Sequence, residues 1–299
     1  MRFCQQIIPK DKWVFGRDPC KLDPSSHQQR YMDNFYREID RPDDQIDLAK
    51  AALYIAQEEY PDLDIDEYLN ALDVMAVEAE ERLPTQRYPL RIIQSLNQYF
   101  YDDLGFSGNT SDYYDPRNSF LNEVIDRRTG IPITLSLVYL EVARRLDFLL
   151  VGINMPGHFL IRPVFEDGAI FVDAFNRGEI LFEQDCEARL SQIYGRPVQM
   201  QPSFTETVSP RQLLARILRN LKFIYLNRKD LRKALAAVER ILLLFPDAPM
   251  ELRDRGLIYY QMRYWSKAIQ DLEIYLAILP NAEDADTIRR LLEQLSREV

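Results

Sequence analysis

Apolar and polar positions along this chain change period twice. From Gln29 to Phe100 the apolar residues recur at helical spacing, first Ile46, Leu48, Ala52, Ile55 and Ala56, then Leu69, Leu72, Val74, Met75 and Val77. Breaks at Pro42, Pro61 and Pro84 divide this stretch into about four helices. Asp62, Asp64 and Asp66 alternate like the opening of a calcium loop, but Glu67 stands where such a loop needs its turn glycine. Asp64 or Asp66 is better read as the N-cap of a helix beginning near Glu67. Asp115-Pro116 opens another helical stretch reaching Arg128, and Thr129-Gly130-Ile131-Pro132 then punctuates the chain. Ile133 to Leu146 is apolar almost all round, the pattern of a buried helix.

Past Asp147 the period shortens to that of strands. Runs at Leu149–Asn154, His158–Val164, Ile170–Phe175 and Ile180–Phe182 are separated by Pro156-Gly157, Glu166-Asp167-Gly168 and Asn176-Arg177-Gly178. They predict a small antiparallel sheet lying on the buried helix, so the class is α+β.

The tail repeats itself. A shift of 34 residues superposes Leu218 on Leu252, Tyr225 on Tyr259, Lys233-Ala234 on Lys267-Ala268, Val238 on Leu272, Leu242 on Leu276 and Pro246 on Pro280. That period is the one of tetratricopeptide repeats. Gly256, Ala234 and Ala268 supply the small residues of helix crossings, whereas Lys222 stands where the first unit should carry one. Glu283–Glu298 is expected to cap the second unit, with Ile288, Leu291, Leu292 and Leu295 turned inward. The expected organisation is an irregular arm over 1–28, a helical region plus α+β core over 29–195, a proline-rich linker over 196–210 and an all-α repeat domain over 211–299.

Charge sharpens this picture. The formal net charge of −10 opposes binding to phosphate backbones and anionic lipid, so nucleic acid is not an expected partner. The charge is unevenly spread: Glu38 to Glu81 holds fifteen acids and two bases, and Arg211 to Lys233 holds eight bases and one acid, so the two segments could attract each other, with two solvated helical faces as the plainer reading and an acidic peptide on the basic stretch as a further one. No apolar run approaches the ~20 residues of a membrane span, and the N-terminus lacks a signal-peptide pattern. Cys4, Cys20 and Cys186 are odd in number and far apart, which argues against a disulfide framework or a zinc site. Reduced thiols and a cytoplasmic location follow, and nothing in the chain calls for a metal or cofactor.

Only His27 and His158 can serve as imidazole bases, and His158 lies where a strand begins. Asp173 falls on a neighbouring strand, from which a carboxylate could orient the ring. The plainer alternative pairs Asp173 with Arg162 across the hairpin.

Four blocks carry a resemblance to a known family: Asp115-Pro116-Arg117-Asn118-Ser119-Phe120, Arg127 to Ser136, Pro156-Gly157-His158-Phe159-Leu160, and Val172-Asp173-Ala174-Phe175-Asn176. Together they resemble the SirB family of transglutaminase-like proteins, which often carry C-terminal tetratricopeptide repeats. The resemblance implies a papain-like core in which a cysteine opening the buried helix attacks an acyl group while a histidine and an aspartate activate it. His158 and Asp173 match the last two roles. With Arg144 set at the arginine ending the superfamily's helix, Pro132 stands where the cysteine should be, and proline offers no nucleophile. Thr134 and Ser136 are the nearest hydroxyls, although helical Ser and Thr commonly bond back to the preceding turn. Cys186 sits among acids that blunt a thiol, and Cys4 or Cys20 could act only if the arm folded over the cleft.

The leading expectation is a non-catalytic scaffold that binds a partner protein or peptide through its repeats, with Arg219, Lys222, Tyr225, Arg253 and Tyr259 lining the concave side. The competing one is an amide or ester hydrolase or acyltransferase using His158, Asp173 and a non-standard nucleophile. A third is a regulatory subunit or assembly factor active only in complex.

Overall fold

The computed structural model describes residues 34–164 and 170–296. The N-terminal arm with Cys4, Cys20 and His27, and the turn at Glu166-Asp167-Gly168, lie outside the described residues.

Four helices open the described chain: α1 (34–39), α2 (Leu48–Ala56), α3 (Ile65–Glu80) and α4 (Pro89–Asn97), the last continuing as a wider π turn over Gln98–Asp103. Side chains fix the starts of α2 and α3: Asp47 accepts from the Lys50 amide at 3.0 Å, and Asp64 from the amides of Asp66 and Glu67 at 3.0 and 3.4 Å. A two-residue strand β1 (Ser107–Gly108) pairs in parallel with β2 (Thr129–Gly130), bracketing a 3-10 turn (Pro116–Ser119) and α5 (Leu121–Arg127). Then comes α6 (Pro132–Arg145), with eleven of its fourteen residues buried, so the other elements stack around it.

The sheet is antiparallel in the order β3 (Leu150–Ile153), β4 (Leu160–Pro163), β5 (Phe171–Asp173), β6 (Glu179–Leu181). Alternate residues serve two cores. Leu150, Ile161 and Val172 join the main cluster around α6, whereas Ile153, Leu160, Phe171 and Leu181 face Cys186 and Leu190 of α7 (Glu183–Tyr194). The sheet is therefore covered on both faces, where the strand pattern predicted one.

Residues 196–209 are bonded along the sheet edge: the Val208 amide donates to the Gly152 carbonyl at 3.0 Å, and Thr207 bridges Ile153. Gly152 permits the crossing, because a Cβ there would stand 2.6 Å from Phe159 and 2.8 Å from Val208. The tail forms hairpins α8 (Pro210–Asn227) with α9 (Leu231–Leu244) and α10 (Pro249–Gln261) with α11 (Trp265–Ile278), closed by α12 (Ala285–Leu295). The predicted capping residues Ile288 and Leu295 are buried.

The main hydrophobic cluster runs without interruption from Phe35 through α6 to Leu213, Leu214, Ile217, Leu242 and Ile258. Acidic and basic segments meet across it. Lys233 pairs with Glu59 at 2.8 Å, Arg211 with Asp43 at 2.6 Å, and the buried Arg240 with Glu58. Among the described residues no helix is long and apolar enough to cross a membrane.

Candidate functional site

Asp173 ends β5 and caps a 3-10 turn (Ala174–Asn176), accepting from the amides of Phe175 at 3.1 Å and Asn176 at 3.2 Å. Its second oxygen accepts from the Asn176 side chain at 2.8 Å and from the Arg189 guanidinium on α7. Arg189 also holds Glu179 at 2.5 Å. Asp173 is fully buried, and burial by itself pushes its carboxyl up. The His158 ring, the Asn176 amide and Arg189 more than offset that and bring it down to about 2.

His158 sits in the turn before β4, its amide donating to the Met155 carbonyl at 3.0 Å, next to Gly157 at φ +74°. Its Nε2 lies 2.8 Å from the Asp173 Oδ1, although the ring N–H is oblique to the oxygen, so the contact is an ion-pair approach without hydrogen-bond alignment. The side chain is 15% exposed and edges onto Phe175 with ring centroids 6.3 Å apart. The His158 carbonyl accepts from Arg216 of α8 at 3.0 Å, so the first repeat helix forms one wall of the site.

The expected nucleophile position is empty of chemistry. Pro132 is the first residue of α6 and is buried. The Thr134 hydroxyl donates to the Asn118 carbonyl at 2.6 Å and accepts from the Ile131 amide at 3.2 Å, which makes it a helix cap. Ser136 Oγ is buried with no hydrogen-bond partner. Neither hydroxyl is bonded to His158. Cys186, on the inner face of α7, is buried in the second core, and burial followed by the acids Asp185, Asp173 and Glu183 raises its thiol to about 11 against the opposing pull of Arg189. No group of three His, Cys, Asp or Glu among the described residues is arranged to hold a metal ion.

One pairing is corrected. The guanidinium that meets Asp173 is Arg189, not Arg162, because the β4–β5 register sets Ile161 opposite Val172 and Arg162 opposite Val151 on the other strand. Asn176 was legible as an Asx turn in Asp173-Ala174-Phe175-Asn176. Arg189 and Arg216 left no local signal, since they arrive from α7 and α8.

In the repeats, Arg219 bonds to Glu251 at 2.8 Å and keeps a 48% exposed side chain. Lys222 is held between Glu251 and Asp254, both at 2.7 Å. Arg253 is buried between Asp254 at 2.8 Å and Asp284 at 2.9 Å. Tyr225 and Tyr259 are buried, with Lys233 over the first ring and the second hydroxyl bonded to Glu239 at 3.1 Å.

A sheet packed on a buried helix, with a paired imidazole and carboxylate at its edge and helical repeats behind, has counterparts among known proteins. The transglutaminase-like superfamily matches residues 66–219 and the tetratricopeptide repeat matches residues 221–293. The chain belongs to the transglutaminase-like superfamily. More particularly, it is 39% identical over 263 residues to a UPF0162 protein of Xylella fastidiosa (strain Temecula1), covering 86% of this chain and 92% of that one. A UPF0162 protein of Vibrio cholerae is 30% identical over 256 residues, 85% of this chain and 94% of that one. F-box only protein 21 of Homo sapiens is 27% identical over 278 residues, 80% of this chain and 42% of that one. No solved structure matches.

Proposed function

We propose that this protein is a non-catalytic transglutaminase-like scaffold, or adaptor, that grips a partner protein or peptide through its helical repeats. The observation that carries the reading is Pro132 at the start of α6. A thiolate there would be stabilised by the helix N-terminus, and proline removes both the nucleophile and an N–H. The retained pair has a structural use that supports the same reading: Asp173 ties β5 to α7 and to the turn holding His158. Of the five candidate residues, Arg219 has most surface to offer a partner, while Lys222, Tyr225, Arg253 and Tyr259 hold the surface in shape. The narrower kinship with the SirB family rests on the four motif blocks, and the cytoplasmic location on the odd number and wide spacing of the cysteines and the sequence pattern.

Within the described residues the competing hydrolase or acyltransferase would use Ser136, whose hydroxyl is bonded to nothing, or break the Thr134 cap, and its other candidate nucleophiles, Cys4 and Cys20, lie outside them. Full-length protein incubated with p-nitrophenyl acetate, and with a glutamine peptide plus a primary amine, tests the choice. The scaffold releases product no faster than its His158→Ala variant. Turnover that disappears in that variant establishes the enzyme instead.

A further inference from the structure

The wall between core and first repeat contains a charge with no acidic partner. Arg145, Arg189, Arg240 and Arg255 are each met by a carboxylate. Arg216 is half-buried on α8, donates to the neutral His158 carbonyl at 3.0 Å and lies over the Phe159 ring at 5.3 Å. No carboxylate among the described residues pairs with it. Burial lowers its affinity for its proton, against which only the Tyr113 hydroxyl acts. A guanidinium stripped of water and left without a counter-charge gains most from an incoming anion, and its planar fork suits a carboxylate.

Beside it runs a continuous ridge of rings. His158 meets Phe175 at 6.3 Å, Phe175 meets Tyr113 at 6.1 Å, Tyr113 meets Tyr114 at 5.3 Å, and Tyr114 meets Phe223 of α8 at 5.4 Å. Tyr113 and Tyr114 are 38% and 57% exposed, an unusual expense of aromatic surface. Arg228, exposed at the end of α8, fixes the ridge by donating to the Tyr114 carbonyl at 3.4 Å. Along α8 the end of the ridge lies about 10 Å from Arg216 by helix rise, a span of roughly three residues of peptide in the polyproline II conformation, which returns every third side chain to one face.

We infer that Arg216 and the exposed Tyr113–Tyr114 shelf form a receptor for a peptide in the polyproline II conformation, the guanidinium taking an Asp or Glu side chain and the shelf an aromatic or large apolar residue about three positions away. The inference rests on the scaffold reading and moves its peptide contact from the concave side of the repeats to the seam between repeat and core. Arg216 lies in the basic stretch Arg211 to Lys233, which gives an acidic ligand a locally favourable field on a protein of net charge −10.

The probe is a library of acetylated, amidated decapeptides randomised over all residues except cysteine, offered to the immobilised full-length protein, with the captured peptides sequenced. Acidic residues with an aromatic or apolar partner three positions away are enriched by about tenfold over the input, the ratio of a single good charge-assisted pair. Arg216→Gln removes the acidic preference, Arg216→Lys keeps part of it, and Tyr113→Ala removes the aromatic preference alone, all with unchanged circular dichroism and melting. No acidic enrichment, or the same enrichment with Arg216→Gln, overturns the inference. So does enrichment seen only when the library carries free C-termini, which assigns Arg216 to a terminal carboxylate. None of these outcomes bears on acyl turnover, which alone decides the scaffold reading.

Discussion

The two helical hairpins of the tail carry one 34-residue pattern but meet different neighbours. The first, α8 with α9, is fused to the core: Leu213, Leu214 and Ile217 belong to the cluster that contains α6, and Arg216 reaches the His158 loop. The second packs chiefly on the first and on α12, in small clusters around Tyr259, Leu272 and Tyr275. Their equivalent positions show the consequence. In the second hairpin Gly256 lets the helices close, because a Cβ would stand 2.8 Å from Leu272 Cγ. The first unit has Lys222 there, and its ammonium crosses to Glu251 and Asp254 of α10. A repeat period thus specifies a hairpin shape, while the residues at its seams decide whether the hairpin is a wall of the core or an outward-facing arm. The family boundary at residue 219, inside α8, falls where this sharing occurs.

The largest effect should come from cutting the fused hairpin at its buried face. Leu214→Ala is expected to cost ~3 kcal/mol in guanidinium unfolding and to loosen amide exchange in α6 as well as α8. The matched change Leu295→Ala on α12 should leave α6 protection intact. Loss confined to the repeats in both variants breaks the comparison.

Next comes the site side of the seam. The Asp173 carboxyl, held at about 2, lies below the ~4 of an unfolded aspartate. Its stabilisation is therefore complete above pH ~4 and is lost as the pH falls through ~2, an amount of order 2 kcal/mol. Asp173→Asn should flatten the stability profile across that window; an unchanged slope sinks the assignment.

Smaller still is the substitution pair at equivalent positions. Helix propensity alone would make Gly256→Ala favourable by ~1 kcal/mol, but the clash with Leu272 should turn it into a loss of ~1 kcal/mol, insensitive to salt. Lys222→Ala leaves Glu251 and Asp254 facing each other, so its penalty should shrink in high salt. Equal salt dependence for the two variants would erase the distinction.

The least effect on stability is a reactivity test. With Cys4→Ser and Cys20→Ser in the background, Cys186 should react with a disulfide reagent at neutral pH only as fast as the protein opens. Fast labelling of the native state would mean that α7 does not seal the second core.

Much of this was legible in the residues. The all-round apolar run predicted α6 as the buried helix within one residue at each end, and alternation with turn pairs predicted β3 to β6. The uneven charge marked the two segments as complementary but read most plainly as two solvated faces, and the pairing of Lys233 with Glu59 shows that they meet. That Pro132 stands at the start of α6 and that His158 approaches Asp173 were readable, because these residues lie in compact motif blocks. Arg189 was not, since a helix bringing a guanidinium from sixteen residues away leaves no periodic mark on β5.

By itself the amino-acid order determined most of the helices and the four-stranded sheet, though not α7 or the short pair β1 and β2, and it determined that the tail repeats and that no thiol opens α6. Those are local properties, set by side-chain period, backbone restriction and the chemistry of single residues. Only the tertiary structure decided that α7 closes the far face of the sheet, that Asp173 is held by Arg189, and that Arg216 stands beside the aromatic shelf without a carboxylate. Such outcomes depend on how distant elements pack, and the desolvation that gives a buried charge its meaning exists only once they have done so.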